Sequence, residues 1–153
     1  MSFGSGLIAA IVLTAGVDAA LGQTRVDERL AKATSLKCVF TLMTTGTWKG
    51  GEPQAETKPA TLSLGFDAIN ADEGTARVIG AFGPSDIIVR MSYGTLHFVQ
   101  AFREGPLYTT TIFPKETKPG RLQAVHTRHE YTEVSLPGFT SRPEQYYGDC
   151  SIE

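Results

Sequence analysis

From Leu36 onward, apolar and polar residues alternate with a period of two, the spacing of a strand with one oily and one wet face. Leu36–Met43 puts Cys38, Phe40 and Leu42 on one face, and Thr61–Ile69 does the same for Leu62, Leu64 and Phe66. Thr75–Phe82 sets Ala76, Val78 and Gly80 against Arg77, Ile79 and Ala81. Ile87–Met91, Thr95–Phe102 and Leu107–Phe113 continue the series. Arg121–Val134 is the longest candidate, and Tyr146–Ile152 supplies an eighth. Turn-rich segments separate them: Gly46–Pro59, Asp72–Gly74, Gly83–Asp86, Tyr93-Gly94, Arg103–Pro106, Pro114–Gly120 and Leu136–Pro143. Seven or eight short strands with turn signals about every 8–12 residues predict an all-β fold, an antiparallel barrel or β-sandwich. No helical pattern falls between strands, which excludes βαβ units. The one predicted helix, Thr24–Ala33, comes first: Thr24 caps it and Val26, Leu30 and Ala33 share a face.

Residues 1–22 follow another rule. Leu7–Val17 is an apolar run too short for a spanning helix of about 20 residues, and Ala20-Leu21-Gly22 offers small residues at a cleavage position. This is the form of a secretory signal, although only the α-amino group supplies positive charge ahead of the run. The expected mature protein is a single β domain, 23–153, secreted or periplasmic, with no stable membrane insertion. In that setting an even cysteine count favours a disulfide between Cys38 and Cys150. Closing a loop of that size is worth about 4–5 kcal/mol on the chain-entropy argument. Joining the first strand to the last favours a closed barrel, which has no exposed edges.

The chain has 153 residues, 41% of them hydrophobic and 20% charged, enough for one domain. A formal charge of -2 gives no electrostatic case for nucleic acid. Gly46-Thr47-Trp48 resembles the Gly-x-Trp signature of lipocalins, which are eight-stranded ligand-binding barrels. The triplet here follows a strand, whereas in lipocalins it opens the first one, so the resemblance implies a barrel of that size and no more.

Candidate chemistry concentrates in Ala124–Tyr131, which holds His126, Arg128, His129 and Glu130. His-x-x-His ligates metal when both rings share a face, as on a helix. On a strand, positions three apart diverge, so no metal site or cofactor is expected. His126 should instead travel with Ala124 and Arg128. One of these two polar residues facing a barrel interior, beside aromatics, would make a small-ligand site. The competing reading pairs Arg128 with Glu130 or Glu133 on the surface. The candidate ligand-binding set is Trp48, His97, His126, Arg128 and Tyr146. Tyr146 and Tyr147 are also placed to cover the closure of the sheet beside Cys150.

Gly50-Gly51 lacks the Lys-Ser/Thr pair and the helix of a phosphate loop, and Ser85 sits in no nucleophile elbow. No catalytic residue is therefore expected. The role expected is a non-catalytic exported domain that binds a small molecule, lipid or protein. The alternatives are a hydrolase or metal enzyme built on His126, Arg128 and His129, and a structural domain of the cell envelope.

Overall fold

The computed structural model describes residues 26–81, 83–103, 105–130 and 142–153; the candidate signal segment lies outside them. Eight strands run in chain order around a closed barrel. They are β1 Leu36–Lys49, β2 Glu52–Asn70, β3 Thr75–Gly80, β4 Gly83–Ser92, β5 Thr95–Ala101, β6 Leu107–Lys118, β7 Arg121–His129 and β8 Glu144–Ile152. Every neighbouring pair is antiparallel, including β1 with β8. Residues 26–31 are helical (α1). The alternation sends most of the large apolar residues inward, while Leu42, Ile79, Ile88, Leu107 and Phe113 remain exposed on the outside.

The lower half of the barrel, where β1 begins, is solidly packed. Leu36, Val89, Leu96, Ile112 and Leu122 meet there at 3% exposure or less. Leu30 and Ala33 close that end and Val26 packs against the core, which is how a helix this short is held. Cys38 lies directly across the β1–β8 seam from Cys150, with Cα atoms 4.0 Å apart, and the two form the disulfide, both sulfur residues fully buried. A disulfide is compatible with an extracytoplasmic location.

One irregularity sets the geometry above the disulfide. Between Phe40 and Leu42 the register slips against both β2 and β8. A bulge re-aims the side chains that follow it. Leu36, Cys38 and Phe40 point in before it, and Met43 and Thr45 point in after it. Leu42, expected beside Phe40, is therefore on the outside and 42% exposed. Gly148 faces Phe40 at this point, and a Cβ there would lie 2.0 Å from the Val39 carbonyl oxygen.

Three segments expected as turns or loops lie largely in strands. Gly46–Pro59 forms a long β1–β2 hairpin, because Gly50 (φ 63°) and Gly51 (φ 88°) make a two-residue turn with both residues left-handed. Such a turn matches the strand twist and propagates the ladder through residues of low strand preference. Gly83–Asp86 opens β4, since Gly83 already pairs with Gly80 of β3; proline at position 84 is tolerated near a strand start. β6 likewise runs on past Pro114 to Lys118 through register shifts. Residues 131–134, expected in the seventh strand, and most of Leu136–Pro143 lie outside the described residues.

The β2–β3 ladder stops at Gly65↔Ile79, while β2 continues upward to Glu52. That leaves a notch in the wall beside the β3–β4 turn. Counted from the Lys49↔Glu52 closing pair, Pro53 and Pro59 fall where an N–H would face this open side. Proline removes the donor and blunts the edge.

Two outcomes follow from the seam. Replacing both Cys38 and Cys150 by alanine should lower unfolding free energy by about 2–5 kcal/mol, read by denaturant titration under oxidising conditions. Gly148→Ala should destabilise at least as strongly, by about 3 kcal/mol or more, because the clash is with backbone and cannot be relieved by a rotamer.

Candidate functional site

Above the packed half the interior is hollow, with a cavity of about 390 Å³. Its floor is the stacked pair Phe66 and Phe98, ring centroids 4.1 Å apart. Leu62, Leu64, Val78 and Ile87 supply the apolar wall from β2, β3 and β4. The opposite wall, from β6 and β7, carries Tyr108, Thr110, His126 and Arg128. Small residues at the notch, including Ser63, Gly80, Ala81 and Gly83, also border the cavity.

Strand parity builds the polar wall. On β7, Leu122, Ala124, His126 and Arg128 alternate inward, and on β6 Tyr108, Thr110 and Ile112 do so. Cross-strand pairing then sets Thr110 beside His126, and His126 beside Tyr146 of β8. The Thr110 hydroxyl lies 2.8 Å from His126 Nδ1, and Arg128 Nε donates to Nε2 over 3.4 Å. Arginine cannot accept, so Nε2 is the bare nitrogen and Nδ1–H donates to Thr110. Burial first, and then the Arg128 charge, push the His126 pKa down to about 3. The ring is neutral at physiological pH, and so low a pKa makes it a weak general base.

Arg128 is clamped between two phenol rings. Its Cζ lies 5.3 Å from the Tyr108 centroid and 5.2 Å from that of Tyr146. The ring hydroxyls are tied behind: Tyr108 donates to Glu130 at 2.7 Å and Tyr146 to Glu144 at 2.5 Å. Burial, and then these carboxylates, raise both phenols, Tyr146 to about 12, so both keep their protons. The nearest carboxylate to the guanidinium, Glu144, is 3.9 Å away, beyond hydrogen-bond length. Glu130 is 5% exposed, and its Oε1 has no partner among the described residues.

Of the five residues expected from the sequence, the fold brings together His126, Arg128 and Tyr146. Trp48 is 58% exposed inside β1 near the hairpin tip, so the Gly-x-Trp triplet opens no strand. His97 points outward, where Nδ1 meets the Thr111 hydroxyl at 3.1 Å. Of the surface partners expected for Arg128, Glu130 holds Tyr108 instead, and Glu133 lies outside the described residues. His129 is exposed at the end of β7, on the opposite side of the wall from His126, and no group of metal-ligating side chains occurs among the described residues. Tyr108, Thr110 and Glu144 were not singled out from the sequence, and Glu130 was considered only as a surface partner of Arg128. Period-two parity from Ile112 points Thr110 and Tyr108 inward, so part of that signal is present in the chain. Comparison with known protein families, curated proteins and solved structures finds no match for this chain.

The neutral His126 makes stability pH-dependent. Its folded pKa, about 3, lies below the unfolded value near 6.5. Between these values the unfolded chain binds the extra proton, so stability is lost as pH falls through that window, by up to about 1.4 kcal/mol per pH unit. Melting temperatures measured from pH 7 to pH 4 should fall less steeply in His126→Gln than in the wild type.

Proposed function

We propose that this chain is an exported, non-catalytic binding protein for one small, mainly apolar molecule, held inside the barrel with its polar end toward His126 and Arg128. The observation that carries this reading is the cavity: about 390 Å³ of space between an aromatic floor and a wall with a few fixed polar groups. Binding sites of roughly 300–1,000 Å³ with this division of labour are typical for small ligands. A barrel built only for stability would fill its interior with side chains, as the lower half does. The buried disulfide and the apolar segment near the N-terminus support placement outside the cytoplasm, secreted or periplasmic.

The test uses N-phenylnaphthylamine, a neutral apolar dye. Its fluorescence should rise saturably with one site per chain. Val78→Phe, which adds bulk to the wall, should weaken binding about tenfold or more while circular dichroism and melting stay near wild type. Unsaturable binding, or binding indifferent to Val78→Phe in the folded variant, would refute an interior site.

A further inference from the structure

We infer that the molecule bound in the barrel is an apolar carboxylic acid, its ionised carboxylate gripped by the two terminal nitrogens of Arg128. The inference rests on the interior site proposed above and adds the ligand's charge and head group.

Arg128 is the one charged side chain on the cavity wall among the described residues. Its side chain is 20% exposed, so most of its hydration is gone. A guanidinium has five N–H donors. Here Nε makes a long bond to His126 Nε2, and Nη1 stands in a 3.9 Å ion pair with Glu144. Nη1 and Nη2 have no hydrogen-bond partner among the described residues, since Glu144 stands at 3.9 Å and is engaged by Tyr146. A half-buried cation with unused donors is costly until an acceptor arrives.

The geometry selects the acceptor. Tyr108 and Tyr146 flank the guanidinium, so the approach left open is along its edge, where a planar fork presents two parallel N–H groups. A carboxylate matches that fork with two charge-assisted bonds. Two acids stand near the cluster, but neither borders the cavity nor closes a hydrogen bond to the guanidinium: Glu144 holds the Tyr146 hydroxyl and keeps its 3.9 Å ion pair with Arg128, and Glu130 holds Tyr108. The neighbouring His126 has both nitrogens engaged and stays neutral, so it neither repels nor neutralises the head group. Behind the head group, Phe66, Phe98, Val78 and Ile87 offer no polar contact, which suits a hydrocarbon or aromatic body.

The experiment displaces N-phenylnaphthylamine with decanoate and with methyl decanoate at neutral pH. These ligands share their chain and differ in charge. The wild type should bind decanoate about 10- to 100-fold more tightly than the ester, the worth of a charge-assisted pair. Arg128→Gln should erase that preference and keep binding of the neutral dye, and Arg128→Lys should retain part of it as a point charge. Equal affinity for acid and ester in the wild type, or a preference surviving in Arg128→Gln, overturns the inference and leaves the interior site standing. Failure of the neutral dye to bind the wild type overturns both. Should Arg128→Gln not fold, carboxyl-labelled decanoate in the wild type decides by nuclear magnetic resonance. Its bound carboxyl should stay ionised to lower pH than the free acid; an unchanged or raised titration refutes the grip.

Discussion

Closure of β1 against β8 is the constraint on which the remaining geometry depends. Two ends of the chain, 112 residues apart, must meet in one register, and three local features hold them there. The Cys38–Cys150 bond fixes the pairing from inside the wall. Gly148 lets the backbone of β1 come closer than any side chain would permit. The bulge after Phe40 then changes which side chains of β1 face inward. Without that shift Leu42 would enter the barrel and Met43 would leave it, and the neighbours of Tyr146 would change. The polar wall thus inherits its order from the seam.

Below the seam's bulge the interior is filled; above it the interior is hollow. The same strands build both halves, so the difference lies in side-chain choice and strand length. Leucines, isoleucine and the disulfide fill the lower layers, and α1 caps them. In the upper layers the short β3–β4 hairpin leaves β2 without a partner on its β3 side, and the Phe66–Phe98 stack bridges the interior below that level. Several polar residues there stand in pairs, hydroxyl to imidazole and phenol to carboxylate, which holds them in place in a low-dielectric space.

Much of this was legible in the chain. Alternation identified most of the strands, their antiparallel character and the grouping of Ala124, His126 and Arg128 on one face, and the cysteines identified the ends that meet. Parity also separated His126 from His129. What escaped were features that depend on pairing across strands. A threonine- and proline-rich hairpin looks like a loop until its two-glycine turn is seen to set a ladder. Leu42 looks inward until the bulge, which no single residue announces, reverses it. Trp48 and His97 are the right residue types on the wrong faces. Tyr108 and Glu144 become partners of Arg128 only once β6, β7 and β8 lie side by side, and separations in sequence do not encode that neighbourhood.

The division of the barrel into a filled half and a hollow half has a consequence for how such a chain changes over time. The helix plug, the sulfur clasp and the lower leucine layers stand apart from the chamber and brace the wall below it. The chamber lining itself is of two kinds: Phe66 and Phe98 belong to the packed core, whereas Leu62, Gln100 and Arg128 are only partly buried. Exchanges among the second kind would recontour the chamber while the foundation stays untouched, so its shape is free to drift by a few substitutions and not by rebuilding.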